Sequence, residues 1–209
     1  MRSDARTPLG REGFAALFPV SRETLDRLDA YLGLLASWNQ RINLVGNSTL
    51  ADPWRRHILD SAQIFPHLPS DGGIVDLGSG AGLPGLVLAI LGAATVYLVE
   101  SDQRKCAFLR EAVRITAAAA TIHAERTETC ALRGAAAVTA RALAGLPQLL
   151  DMAEPFLVTH SICLFLKGKG ASQELTEARK GWKMQTRLLP SLSDPAGTLV
   201  ILEALERLP

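Results

Sequence analysis

The sequence predicts an α/β fold built on a doubly wound, largely parallel sheet, and three observations predict it. A glycine-rich turn, Asp76-Leu77-Gly78-Ser79-Gly80-Ala81-Gly82-Leu83-Pro84-Gly85, joins a short apolar strand to an apolar helix. Beyond it, strand and helix patterns alternate, and alternation demands crossovers that place helices on both faces of a parallel sheet. Last, two strand patterns near 182–189 and 197–204 have no helix between them, which predicts an antiparallel, hairpin-like edge.

The elements follow in order. Ser21 is placed to cap a helix running through Trp38, with Leu25, Leu28, Leu32 and Leu35 on one face and Glu23 and Asp26 favouring its N-terminus. Asp52-Pro53 opens a second helix whose apolar stripe, Trp54, Ile58, Ala62 and Phe65, ends at Pro66. A turn at 69–73 leads into the strand Ile74-Val75-Asp76-Leu77. Leu83 to Leu91 is helical, and Pro84 suits a first turn, where its missing N–H costs nothing. Then come strand 95–100, helix 102–117, strands 120–124 and 135–140, helix 145–157, strand 161–167 and helix 171–180. The alanine-rich stretches near 117–120 and 135–137 read as a helix end and a tightly packed strand. No repeat or low-complexity linker divides the 209 residues, so a single domain is expected.

Composition narrows the class without naming a chemistry. With 48% hydrophobic and 21% charged residues, the chain can bury a substantial core. No apolar run is long enough to span a bilayer, and Met1-Arg2-Ser3-Asp4-Ala5-Arg6 leads into no signal-like core, so a cytoplasmic location is expected. Cys106, Cys130 and Cys163 show neither CxxC nor Cys/His ligand spacing; free buried thiols and no metal are expected. A net charge of +1 does not announce a nucleic-acid binder, so any RNA contact must come from local basic surface. Arg55 and Arg56 offer such a surface. Arg179, Lys180, Lys183 and Arg187 face only Glu174 and Glu177 nearby in sequence, which leaves the C-terminal part locally basic; such a cluster reads as a solvated face, and no nucleotide contact is assigned to its members. Trp38 and Trp54 sit among apolar helix positions and read as core.

The glycine turn points to a nucleoside cofactor. Gly80-x-Gly82-x-x-Gly85 satisfies a dinucleotide fingerprint, whereas Asp76-x-Gly78-x-Gly80-x-Gly82 satisfies the acidic first motif of S-adenosylmethionine-dependent methyltransferases. Glycines alone do not separate the two. A pyrophosphate against the loop disfavours a neighbouring carboxylate, while the ammonium of a methionine end would attract Asp76 through water, so the acid favours S-adenosylmethionine. Thr95 to Glu100 then ends a strand in a carboxylate able to accept both ribose hydroxyls.

Trp38-Asn39-Gln40-Arg41-Ile42-Asn43-Leu44, Arg56-His57-Ile58-Leu59-Asp60-Ser61, the glycine turn with its Leu83-Pro84-Gly85 ending, and Thr139-Ala140-Arg141-Ala142 occur in the order found in the RsmG/GidB family of bacterial rRNA methyltransferases. From about Tyr31 to Leu202 the chain resembles that family. The resemblance implies a Rossmann-like class I methyltransferase fold, seven-stranded with its last strands antiparallel, in which an N-terminal helical extension (1–68) precedes a cofactor-binding and catalytic core (69–209). It also implies methylation of N7 of one guanine in 16S rRNA, with S-adenosylmethionine as cofactor and the small ribosomal subunit as partner; a monomeric protein is expected. Carried over by position, cofactor contacts fall on Gly78, Leu83, Thr127, Glu128 and Arg141, with Asp76, Gly80, Gly82 and Glu100 completing the motif. Arg126 matches an arginine of the family pattern and is expected to meet RNA. The chain departs from the family in the featureless Ala135-Ala136-Ala137, where relatives are often acidic, and at Gly197 or Thr198, where some carry a basic residue.

Guanine N7 has an in-plane lone pair and no proton, so its attack needs neither a general base nor an enzyme nucleophile. No cysteine follows a proline, as a cytosine C5 enzyme would require, and Thr139-Ala140-Arg141-Ala142 stands where an amino-group enzyme carries (Asp/Asn)-Pro-Pro-aromatic. Arg141, at the end of the fourth strand, is the expected catalytic side chain, its donor fork free to hold guanine O6, a phosphate or the cofactor carboxylate. Lys167 and Lys169, in a glycine-bearing loop after the fifth strand, are expected at RNA phosphate. His57 and Asp60, three apart on a helix, are expected to form a polar pair that fixes the N-terminal helix over the cofactor mouth. Two alternatives stand beside this reading: an NAD(P)-binding oxidoreductase, although no Tyr-x-x-x-Lys pair is present, and a non-catalytic ribosome-binding module.

Overall fold

The computed structural model describes residues 7–209; Met1 to Arg6, read above for the absence of a signal core, lie outside the described residues. Seven strands form one sheet: β1 (Gly73–Leu77), β2 (Thr95–Val99), β3 (Ala120–His123), β4 (Ala135–Arg141), β5 (Leu157–Lys167), β6 (Trp182–Pro190) and β7 (Thr198–Arg207). Their order is β3-β2-β1-β4-β5-β7-β6. The first five are parallel, while β7 inserts antiparallel between β5 and β6. The expected antiparallel edge is therefore present, with the last strand in sequence lying inside it.

Period-two alternation divides the sheet into two cores. Leu164 and Leu166 of β5 face one way, into a core shared with the N-terminal helices, α4 (Gly85–Ile90) and α5 (Gln103–Thr116). Cys163 and Phe165 face the other way, against α6 (Leu146–Ala153) and α7 (Ala171–Ala178). Parallel strands buried on both faces need near-continuous apolar sequence, which β1 and β4 supply except at Asp76, Thr139 and the strand-end Arg141.

Caps fix the helix ends. The Ser21 hydroxyl accepts from the Thr24 N–H at 3.1 Å, starting α2 (Arg22–Asn39) at the expected residue. Asp102 caps α5 by accepting from the Arg104 N–H at 2.8 Å, and with the Arg104 guanidinium beside it its carboxyl is held down at about 2. A first helix, α1 (Gly10–Leu17), went unread in the sequence because no side chain caps it; the contact of Phe14 with Trp54, 5.4 Å between ring centres, holds it.

The helix expected from Asp52 is less regular than its stripe implies. Trp54–Leu59 is a π-helical turn, followed by the short α3 (Asp60–Ala62) and a 3-10 turn at Phe65–His67 that contains Pro66 instead of stopping before it. Trp54 is buried and Trp38 packs on Phe108, as read from the sequence. Cys106, Cys130 and Cys163 are free and buried, also as expected. No described helix is long and apolar enough to cross a membrane.

Candidate functional site

Two clefts open beyond the carboxyl ends of the parallel strands, each about 450 Å³. The first lies over the glycine turn, Glu100 and the segment after β3. The second lies between the π-helical turn and the β6–β7 loop. Leu44, Arg141 and Ala142 line both and form the wall between them.

The glycine turn is shaped by left-handed backbone. Gly78, Gly80 and Gly82 have φ of 58°, 55° and 82°. A Cβ on Gly78 would lie 2.6 Å from Leu143, and one on Gly82 would lie 2.7 Å from Leu86. At Gly80 the nearest atom would be 3.7 Å away, so the turn presents bare backbone to the cleft there. The Gly80 N–H donates to Glu100 Oε2 at 3.0 Å and the Asp102 N–H to Glu100 Oε1 at 2.8 Å. Each carboxylate oxygen keeps a lone pair for another donor. From the opposite side, the buried Tyr31 hydroxyl of α2 donates to the Ala81 carbonyl at 2.8 Å.

Asp76 does not reach this cleft. It is fully buried beneath the turn, accepting from the Thr139 hydroxyl at 2.8 Å, while Oδ2 has no partner. Burial pushes its carboxyl up to about 6, and the hydroxyl of Thr139 offsets part of that rise. Gly85 must be glycine because a Cβ there would stand 2.6 Å from Asp76 Cβ. The expectation that Asp76 meets the cofactor is thus relocated: the carboxylate underpins the turn and the start of α4, and presents no atom to the wall.

Arg141 is held in a network the sequence showed only in part. Its Nη1 donates to the Arg56 carbonyl and to Asp60 Oδ2, both at 2.9 Å, and its Nη2 lies 3.2 Å from His57 Nδ1. Desolvation, then the Arg141 and Arg56 charges, push His57 down to about 3. The ring is therefore neutral near pH 7, with Nδ1 accepting from Arg141 and Nε2–H donating to Thr49 Oγ1 at 2.9 Å. His57 and Asp60 do not bond to each other as expected; both bond to Arg141 at the end of β4. Asp60 Oδ1 also accepts from Gln63 Nε2 and Ser193 Oγ, tying the N-terminal segment to the β6–β7 loop.

The remaining expected residues divide. Gly78, Gly80, Leu83, Glu100, Thr127, Glu128 and Arg141 all line the first cleft, whereas Gly82 turns the backbone behind it. Arg126, assigned to RNA, is exposed on the rim of that same cleft. Lys167 is a correction: only 9% of its side chain is exposed, and its Nζ is committed at 2.7 Å to both the Ala144 carbonyl and Glu174, which leaves no free cation for phosphate. Lys169 is exposed two residues on. The cationic C-terminal surface is a second correction, because the β6–β7 register brings Glu206 to Lys183 and Glu203 to Arg187 while Glu177 takes Lys180.

Sequence reasoning missed Asn39, whose Oδ1 accepts from the Leu44 and Val45 N–H groups at 2.9 Å and whose Nδ2 donates to Asn47 at 2.8 Å. These bonds place Leu44 on the wall between the clefts. The signal was present in Trp38-Asn39-Gln40-Arg41-Ile42-Asn43-Leu44, but a polar residue at a helix end announces no partner. Asp194, bonded to Arg56 at 2.8 Å in the second cleft, carried no signal.

The first cleft fits S-adenosylmethionine on the chain's own features: open backbone at Gly80, free lone pairs on Glu100 for ribose hydroxyls, apolar cover from Leu83, and a volume suited to a nucleoside.

Comparison with known proteins agrees with this geometry. The family model described as GidB, rRNA small subunit methyltransferase G, matches residues 24–195. The protein named ribosomal RNA small subunit methyltransferase G from Rhodospirillum centenum is 57% identical over 188 residues, covering 90% of this chain and 87% of its own length. That from Paramagnetospirillum magneticum is 52% identical over 200 residues, covering 95% and 98%. Among solved structures, M. jannaschii TYW2 in complex with AdoMet superposes with a TM-score of 0.57 at 15% identity, covering 73% of this chain and 76% of that one. The tRNA methyltransferase TrmI from Aquifex aeolicus gives 0.56 at 12%, covering 72% and 69%. The two structures share the fold, a Rossmann-like methyltransferase sheet, and the sequence relatives carry the assignment further. With the family model matched over residues 24–195 and relatives more than 50% identical across most of both chains, the chain belongs to the rRNA small subunit methyltransferase G (GidB) family.

Proposed function

We propose that this protein transfers a methyl group from S-adenosylmethionine to N7 of a guanine in the 16S rRNA of the small ribosomal subunit, acting in the cytoplasm as a monomer. Membership of a methyltransferase family sets aside the oxidoreductase and the non-catalytic alternatives. The observation that carries the reading is the shared wall: a nucleoside-sized cleft and a second cleft open to a base meet at Arg141.

S-adenosylmethionine, when bound, supplies an electrophilic methyl group. Gly78, Gly80 and Leu83 would hold it against the turn, Glu100 would accept its ribose hydroxyls, and the Thr127-Glu128 backbone would read its adenine edge. Gly82 and Asp76 act from behind by fixing the turn. The target guanine enters the second cleft with N7 toward Leu44 and Arg141. His57, held neutral and weakly basic, is a poor proton acceptor, which is consistent with a nucleophile that carries no proton. Alignment then supplies most of the acceleration, and Arg141, fixed by Asp60 and the Arg56 carbonyl, is the group that aligns. Arg126 and Lys169, exposed at the rims, are the proposed RNA contacts.

The test mixes purified protein, labelled S-adenosylmethionine and undermodified small subunits, then maps modified bases by aniline cleavage and mass spectrometry. Arg141→Lys keeps the charge but loses the planar fork, and kcat/KM is expected to fall by about 100-fold, the range for losing one aligned donor. Label that never reaches guanine overturns the function; wild-type turnover in Arg141→Lys overturns the role of the fork.

A further inference from the structure

At the edge of the first cleft, which Glu125 lines, the fold gathers three side chains of metal-binding type that sequence spacing did not reveal. His123 ends β3, Glu125 follows two residues on, and Cys130 returns after a 3-10 turn at Thr127–Thr129. Their ligand atoms all lie within 4.8 Å of one another. His123 Nδ1 is 3.4 Å from Glu125 Oε1. In a tetrahedral zinc site with bonds of about 2.0–2.3 Å, neighbouring donors stand about 3.3–3.8 Å apart. The imidazole and carboxylate therefore already sit at ligand separation, and the sulfur has no more than about 1.5 Å to close.

The surroundings favour a site over a chance meeting. Tyr97 packs edge-on against the His123 ring, 5.7 Å between centres, and holds its plane. The Thr129 N–H donates to the Arg126 carbonyl at 3.1 Å and the Cys130 N–H to the Thr127 carbonyl at 3.3 Å, so backbone bonds fold the loop back on itself. Cys130 is 2% exposed, while His123 and Glu125 are half-buried, which leaves one side open to water. A thiolate and a carboxylate neutralise a dication, and a set of one sulfur, one nitrogen and one oxygen suits zinc, whereas magnesium and calcium favour oxygen alone.

We propose that His123, Glu125 and Cys130 bind one zinc ion, with water as the fourth ligand. Binding forms the sulfur–zinc bond and releases the thiol proton to solvent. Because Glu125, Arg126, Thr127 and Glu128 all line the first cleft, the ion would clamp the segment that forms the far wall of that cleft.

The full-length protein, stripped with chelator, is titrated with cobalt(II) and the absorption spectrum recorded. One equivalent is expected to give tetrahedral d–d bands and a thiolate-to-cobalt charge-transfer band, both abolished by zinc. Cys130→Ala is expected to remove the charge-transfer band with an unchanged circular dichroism spectrum, while Cys106→Ala and Cys163→Ala retain it. His123→Gln is expected to weaken zinc binding at least about tenfold by calorimetry. Absence of the band in the wild-type protein, or its survival in Cys130→Ala, overturns the site. None of these readouts depends on methyl transfer.

Discussion

Asp76 and His57 pull stability in opposite directions as pH changes. Asp76 is raised from 3.8 to about 6 by burial, so its favourable state is the protonated one, complete below pH 4 and lost as pH rises through 6. The cost of ionising it in place is about 3 kcal/mol. His57 is lowered from 6.5 to about 3, so its contribution is complete above pH 6.5 and lost as pH falls toward 3. Asp76→Asn keeps an acceptor for Thr139 but removes the charge. Urea denaturation should show it more stable than wild type at pH 8, by up to about 3 kcal/mol, with the difference shrinking as pH falls below 6. A variant less stable than wild type at pH 8 would mean that its neighbours favour the carboxylate. The sequence showed that Asp76 matters and misjudged how. Its place before three glycines is the same whether the side chain points into a cleft or beneath a turn, and only the packing of Gly85 decides between them.

Among elements, the parallel strands and their helices were legible because burial on both faces and capping residues leave local marks. The N-terminal segment was legible as helix but not as geometry. A π-helical turn and a straight helix carry the same apolar stripe, so the stripe does not announce that the Arg56 carbonyl, His57 and Asp60 meet on Arg141. Lys167 shows the same limit, since Glu174 is seven residues away in sequence and adjacent only after α7 folds back. The link from α2 to the glycine turn is testable. Tyr31→Phe leaves the Ala81 carbonyl buried without its donor, and should cost about 1–3 kcal/mol of stability. If α2 sets the turn, cofactor affinity measured by calorimetry falls as well; unchanged affinity would confine Tyr31 to the core.

At the scale of the molecule, bonds between distant parts of the chain close the second cleft. Arg56 pairs with Asp194, Ser193 donates to Asp60, and the Gln63 side chain bonds to Ser191 and to the Leu192 N–H. No sequence window contains both sides of these contacts, which is why the second cleft went unread. Each member of the Arg56–Asp194 pair is more than a third exposed, so the pair is worth at most about 1 kcal/mol, and reversing both charges should restore stability lost by either single reversal. Methylation of small subunits should stay impaired in the double variant, because the cleft then shows its substrate the opposite pattern of charge. Full recovery of activity would make the pair only a fastener for the loop.

The placement of β7 between β5 and β6 has a genetic corollary. A stop codon falling after β5 spares every residue of the cofactor turn, yet it strips the partner from a buried strand and removes Ser193 from Asp60. Late nonsense alleles should therefore be as severe as early ones, with the truncated product exposing a bare strand edge prone to aggregation.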